Sequence, residues 1–355
     1  MPTTRSLEIR YQEAAGSPTF LSQFFRTNPN LLTAEKFDVH VRRSGRKIAV
    51  PVTAVESNGR ENVFSSFSES SYTPAIYKEN VTISASNLWN QQFGKTVTEQ
   101  EQYRIVQQRA VEIALGEVEQ TIRRGVELQA AQALASATLA LTDESGSTRL
   151  SLSFSPKASH FTTAATTWAS STAKLADLTG LQEQVRIDGK RTVKHLVFGR
   201  RAWSDFTNDS TIRAMLDTRR DNRATLERPS VRSEDASWHG YFTLDHNEVN
   251  LWTYSASYDN PATLADTKYL NDDHVIMLPE GPEFDLVFGA IPRIEGAVPG
   301  GVGGFRTSSV LPQAGIGFDS IQWMAPDRSA ITVQIGVRAL VIPTAIDTYG
   351  RLQTR

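Results

Sequence analysis

Apolar and polar positions along the chain repeat with two periods, and the changes between them mark its elements. From about residue 98 to 141 an apolar or small-residue stripe runs through Val111, Leu115, Val118, Ile122, Val126, Ala130, Ala133 and Ala137. Steps of three and four are the helical period. Glu112, Glu119, Arg123 and Glu127 fall off the stripe, the pattern of a solvated face. Thr98 with Glu101 three residues later is a candidate capping box, and the run Asp143 to Gly146 is a stop. At about 1.5 Å per residue such a helix would run on the order of 60 Å, well beyond the usual three to four turns. That length suits a strut better than a compact enzyme core.

Elsewhere the period is two. Phe37 to Arg43 reads as a strand, Ser44 and Gly45 as a turn, and Lys47 to Thr53 as a returning strand. Residues 56–92 are rich in Ser and Asn, with Phe64, Phe67, Tyr72 and Ile76 spaced apart and Val81 and Ile83 alternating with polar neighbours. The segment is expected to form a long extended hairpin. A lone two-stranded hairpin is marginal in water, so its apolar face calls for cover from the rest of the chain or from a neighbouring copy. Further strands are expected at Leu150 to Phe154, Val193 to Phe198, Leu251 to Tyr254, His274 to Leu278, Phe284 to Gly289 and Ile331 to Ile342. Leu175 to Arg186 reads as a helix, and Ala202 to Leu216 as one or two short ones. Residues 217–235 are expected to be charged and exposed, and 296–304 to be a Gly/Pro-rich linker. No fixed-period repeat and no regular βαβ alternation is visible, so the expected class is α+β.

Composition narrows the field. In 355 residues, 39% are hydrophobic and 21% charged, enough apolar material for a true core. There is no cysteine, which removes disulfides and thiolate metal sites. The first residues carry no apolar signal-like region, and no run approaches the roughly 18 apolar residues that span a bilayer, so a soluble chain without membrane contact is expected. The formal net charge of −2 argues against a protein that grips nucleic acid over its whole surface.

The search for chemistry returns no specific motif. The six histidines form no HExxH and no close helical pair. His195 sits inside an apolar strand and reads as a packed residue. Asp245, His246 and Glu248, and the run Asp272, Asp273 and His274, match no standard ligand spacing and read as polar turns. There is no GxSxG elbow and no phosphate loop, and the glycines at 300–304 fit a flexible connection. Arg219, Arg220 and Arg223 belong to an arginine-dense stretch interleaved with Asp217, Asp221 and Glu227. Ion-paired contact with a neighbouring chain and a solvated surface both fit it; DNA binding fits less well, because the acids cancel much of the field. No catalytic residue, cofactor or metal is expected.

The order of the pieces resembles the lambda-type major capsid protein E family of tailed bacteriophages, which has the fold named after phage Hong Kong 97. Phe20 to Phe25, Phe37 to Val39 and Lys47 to Val52 are similar to its N-terminal arm. The 56–92 hairpin stands at its extended loop, and Gly116 to Arg124 with Glu127 and Ala130 to Leu134 is similar to its spine helix. Leu152 to Phe154, Trp168, Asp177, Phe198, Trp203, Leu251 to Tyr254, Gly289 to Ile291, Trp323 and Leu340 to Pro343 continue the likeness. The resemblance implies an arm at 1–50, an extended loop at 51–95, a peripheral domain at 96–174 with the spine helix at about 98–141, an axial domain at 175–315 and a return to the peripheral domain at 316–355. It also implies a major capsid protein of the virion, assembled in the bacterial cytoplasm. Such a protein partners itself as hexamers and pentamers, with decoration, scaffold and portal proteins as further partners, and encloses double-stranded DNA without reading its sequence.

Two assembly hypotheses follow. Phe64, Phe67, Tyr72 and Ile76, with Arg219, Arg220 and Arg223, are candidate contacts to a neighbouring subunit. Gly116 and Gly125 interrupt the helix, at about 1 kcal/mol each relative to alanine, as candidate bending points; close packing against the glycine is the alternative. Lys78 lies in the loop, but nothing marks it as a crosslinking residue. The rival readings are an encapsulin-like compartment and a soluble α+β enzyme using Asp245, His246 or Asp272.

Overall fold

A computed structural model of the chain describes residues 19–28, 37–42, 67–74, 76–86, 100–216, 224–233, 235–245, 247–281, 284–289, 291–294, 305–307, 311–313, 316–324 and 329–355. For 37–42, 67–72, 100–112, 114, 216, 224–233, 292–294, 305–307, 311–313, 316–322 and 324 it describes the backbone alone.

The long helix is present, spanning Gln100–Ser136. Val118, Ile122, Val126, Ala130 and Ala133 are buried, as the stripe requires. Two features of the expectation are corrected. The helix stops at Ser136 instead of continuing to 141, because Ala137 takes a left-handed φ of 51° and the strand Thr138–Thr142 begins. That strand pairs antiparallel with Thr148–Ser153 and buries Leu139 and Leu141, a period of two inside what the sequence pattern assigned to the helix. Gln132 holds the turn back, its amide accepting from the Ala140 N–H at 2.9 Å and donating to the Ala140 carbonyl at 3.0 Å. The second correction is Glu127, expected on the solvated face but completely buried. Thr98 lies outside the described residues.

One face of the helix covers a sheet built around the thirteen-residue strand Ala330–Ile342. On one edge that strand pairs first with Ile76–Ser84 and then with Phe284–Phe288; on the other it pairs with Ile316–Met324. The expected hairpin over 56–92 is therefore corrected. Phe67–Tyr72 pairs with Phe37–Arg42, while Ile76–Ser84 joins the chain's own sheet along nine residues. Its cover is intramolecular: Tyr77 and Val81 pack against the core, and Thr82 and Asn80 form a polar ladder with Thr332 at 3.1 Å and Gln334 at 2.8 Å.

The second sheet has seven strands in the order Phe161–Thr163, Gly350–Gln353, His274–Pro279, Val193–Phe198, Asn247–Tyr254, Ala236–Leu244 and Ala224–Ser233. Its central strands bury both faces. Leu196, Phe198, Val275 and Met277 face the helices Lys174–Gly189 and Arg200–Thr207. Val197, Ile276, Trp252 and Tyr254 face the core shared with the long helix. Apolar residues at both parities are what a doubly covered sheet demands. Within residues 217–235, expected to be charged and exposed, Ala224–Ser233 forms the edge strand of this sheet.

The two helix glycines differ. Among the described residues, a Cβ on Gly116 would meet nothing within 4 Å, whereas one on Gly125 would lie 3.2 Å from the Tyr77 ring. Gly116→Ala should stabilise the unassembled chain by about 1 kcal/mol. Gly125→Ala should instead lower stability by about 1 kcal/mol, because overpacking against the ring outweighs the helix gain. Urea midpoints of the two variants check this opposition of sign.

Candidate functional site

Among the described residues, those singled out from the sequence do not converge on one place. Ile76 opens its strand and is 46% exposed. Phe67 and Tyr72 occupy the two ends of a separate strand, opposite Arg42 and Phe37. Phe64, Arg219, Arg220 and Arg223 lie outside the described residues, as does the linker at 296–304. Gly125 rests on Tyr77, and nothing among the described residues lies against Gly116.

What the fold does bring together is a set of buried polar contacts on the long helix. Phe20 packs on Trp252 and Tyr254 with ring centroids 5.0 and 5.5 Å apart, which presses the 3₁₀ turn Ser22–Phe24 against the core. This aims two backbone N–H groups at Glu127: Leu21 donates to Oε1 at 2.7 Å and Ser22 to Oε2 at 3.0 Å. The Tyr254 hydroxyl donates to Oε1 at 2.9 Å. Burial pushes the Glu127 carboxyl above its ordinary range, and these three donors pull it back. One side chain thus joins the N-terminal segment, the long helix and the seven-stranded sheet. Two residues on, Gln129 accepts from the Val341 N–H at 3.1 Å and donates to the Ala339 carbonyl at 3.3 Å, as a neighbouring strand would. It also donates to the Tyr77 hydroxyl at 2.7 Å, whose pKa burial pushes up to about 12.

Beside the end of the helix lies a cleft of about 500 Å³. Its charged lining is Arg201, Lys268 and Arg351 against Asp272, with Ser136 and Tyr269 completing the wall. The Arg351 guanidinium donates to the Ala135 carbonyl at 3.1 Å and to Gln353 at 3.0 Å, neither of them a carboxylate. Burial, with the nearby Arg351 charge, brings His274 down to about 4, so the imidazole is neutral and adds no charge to the cleft at pH 7.

A second polar cluster ties the helix Lys174–Gly189 to the sheet edge. Asp188 accepts from Lys157 at 2.5 Å, Gln184 at 2.6 Å and His160 at 3.0 Å, and the other ring nitrogen of buried His160 lies 2.9 Å from the Tyr349 carbonyl. The Lys157 hydrogen bond, with those from Gln184 and His160, holds the Asp188 carboxyl well below its usual range. A depressed folded value stabilises the native state above the unfolded pKa, near 4, and that contribution is lost as pH falls. Denaturant midpoints from pH 6 to 3 should fall more steeply for the wild type than for Asp188→Asn. Parallel curves would refute the assignment.

Of the residues of the enzyme reading, Asp245 and Asp272 are not brought together. Asp245 occupies the turn between Ala236–Leu244 and Asn247–Tyr254, with a left-handed φ of 55°. Asp272 is bound by Lys268 at the far end, where Val275 pairs with Phe198 beside Thr253. Six strand residues separate the two ends, about 20 Å. His246 lies outside the described residues. Among the described residues no group of three His, Asp or Glu could hold a metal, and no helix is long and apolar enough to cross a membrane.

Sequence reading missed Glu127, Gln129 and Arg351. Glu127 carried one local signal: it stands beside Val126 and three and four residues before Ala130 and Ala131, all buried. Arg351 carried none, because the Ala135 carbonyl that it reaches lies on a helix more than two hundred residues away.

Comparison with known proteins gives a consistent result. Residues 3–353 match the family model described as phage major capsid protein E. The putative capsid protein of a prophage from E. coli CFT073 is similar with a TM-score of 0.60 at 16% identity, over 96% of this chain and 94% of that one. The capsid asymmetric unit of cyanophage A-1(L) gives a TM-score of 0.55 at 9% identity, over 100% and 99%. No curated protein matches.

Proposed function

The chain belongs to the phage major capsid protein E family, and on that premise we propose that it self-assembles into the icosahedral shell that encloses a phage genome. The family match over residues 3–353 is the observation that carries this reading, and it favours a virion over a cellular compartment. The shared fold supports it. The physical features agree. A helix of 37 residues braced along a thirteen-residue strand is a stiff plate, suited to tiling. A net charge of −2 suits a container that must hold DNA without gripping it.

In the finer reading, copies gather as hexamers and pentamers, with decoration, scaffold and portal proteins as further partners. Assembly takes place in the bacterial cytoplasm, the DNA is enclosed without sequence recognition, and the chain performs no catalysis. Residues 1–50 act as the arm, 51–95 as the extended loop, 96–174 and 316–355 as the peripheral domain, and 175–315 as the axial domain. Phe64, Phe67, Tyr72 and Ile76 contact a neighbouring subunit, as do Arg219, Arg220 and Arg223. Gly116 is the better bending point, since nothing among the described residues packs on it; if Gly116→Ala shells expand normally, bending there plays no part.

Size-exclusion chromatography and negative-stain microscopy of the purified chain test the main reading. Closed particles tens of nanometres across are expected, and a small soluble oligomer would overturn it. Phe64→Ser with Phe67→Ser should leave a folded chain that forms no shells; normal shells would remove those residues from the interface.

A further inference from the structure

The strand Ile76–Ser84 is satisfied along one edge only. Its inner edge pairs with Ala330–Ile342, and among the described residues no strand pairs with its outer edge. The phase of the ladder tells which backbone groups that leaves over. The Ala85 N–H, one step beyond the pair Ser84–Ala330, donates to the Ser329 carbonyl at 2.7 Å. Hydrogen-bonded and non-hydrogen-bonded positions alternate along an antiparallel pair. Tyr77, Glu79, Val81 and Ile83 therefore bond inward, while Lys78, Asn80 and Thr82 turn their N–H and carbonyl groups outward. The side chains agree, since they approach more closely at non-hydrogen-bonded pairs: Thr82 meets Thr332 at 3.1 Å and Asn80 meets Gln334 at 2.8 Å.

An open strand edge is a template for another strand, and native proteins blunt such edges with prolines, bulges, charges or short length. This strand has nine residues, no proline and no break in register. Lys78, Asn80 and Thr82 are exposed, as is Ile76 at its start. What blunts the edge is the charge of Lys78 and Glu79, and charge also decides which pairings it permits.

We propose that this edge pairs antiparallel with the same edge of a second copy across a two-fold axis, with Asn80 of each copy opposite the other's. The contact rests on the shell reading, which supplies the second copy and, in an icosahedral shell, two-fold axes between neighbours. A two-fold axis perpendicular to the sheet keeps both helix-covered faces on one side and both exposed faces on the other. Residues of equal parity must then meet, which the outward-turned Lys78, Asn80 and Thr82 satisfy. A centre at Lys78 or Glu79 would set that residue against itself, and like charges directly opposite destabilise a strand pair. A centre at Asn80, the middle of the strand, sets Lys78 against Thr82 and Glu79 against Val81 and uses the full length. Such a contact is isologous, so it consumes the edge and stops at two copies instead of growing into a fibre.

Crosslinking and a proline test it together. Because the chain has no cysteine, one introduced thiol per chain reports contact without background. Residues opposite each other at a hydrogen-bonded pair have Cα atoms about 5.5 Å apart, within disulfide reach. Asn80→Cys shells should therefore give a covalent dimer on mild oxidation. Lys78→Cys shells should give none alone, since the two thiols stand about 13 Å apart along the strand, but should give it when mixed with Thr82→Cys chains. Thr82→Pro removes an outward N–H, so it should keep a cooperative melt while shell yield falls at least tenfold. Asn80→Cys shells without the dimer, or full shell yield from Thr82→Pro, would overturn the contact and leave the shell reading standing. A Thr82→Pro chain that does not fold would place that N–H in the inner ladder and overturn the phase on which the contact rests. An unmodified chain that forms no particles would remove the shell reading, and the contact with it.

Discussion

Glu127→Ala is expected to destabilise the unassembled chain by about 4 kcal/mol, since each buried donor left without an acceptor costs about 1–3 kcal/mol. Removing the carboxylate strands the Leu21 and Ser22 N–H groups and the Tyr254 hydroxyl together. Glu127→Gln should cost about 3 kcal/mol, because an amide retains one acceptor but turns an N–H₂ toward a donor. Tyr254→Phe should cost only about 1 kcal/mol, as the carboxylate keeps both backbone donors. Denaturant unfolding gives the order directly, and limited proteolysis near residues 19–28 should accelerate in the same order. A Glu127→Ala loss under about 1 kcal/mol would mean that the N-terminal segment is held by its aromatic packing alone.

Deletion of residues 60–85 is the second large effect. Read as a self-contained arm, this segment would be dispensable for folding, and its deletion would leave a folded monomer. The structure reverses that expectation. The deletion removes Ile76–Ser84, its nine register pairs with the long strand, and the Tyr77 ring that fills the space over Gly125. Loss of that ring alone should cost about 3 kcal/mol. The deleted chain is expected to aggregate or to melt without a cooperative transition, in contrast to the folded Phe64→Ser, Phe67→Ser variant. A soluble deletion mutant with the wild-type melting point would show that the strand adds nothing to the sheet.

These two cases share a cause. Glu127 was assigned to the solvated face because charge and helical phase both pointed there, and the N-terminal segment that covers it is over a hundred residues away. Ile76–Ser84 showed the alternation of a half-buried strand, and its Val81 and Ile83 do lie on the partly buried face. Alternation does not name a partner, and a sequence-adjacent hairpin was the simpler assumption. The true partner lies some 250 residues on. The end of the helix failed differently. Ala137 belongs to the apolar stripe by spacing, yet its φ turns the chain, and Leu139 and Leu141 fit either period over so short a run.

Local pattern alone determined the long helix, the strands at 193–198, 274–278 and 331–342, the α+β class and, through the order of the pieces, the family. Each of these depends on periodicity within a single element, which the chain writes residue by residue. Tertiary structure alone decided which strand pairs with which, where the helix yields to a strand, that Glu127 is an internal clamp, and that three cations line one cleft. These are meetings of residues far apart in the chain, and the free energy that selects them comes from burial and hydrogen bonding across elements, which no single stretch of sequence contains.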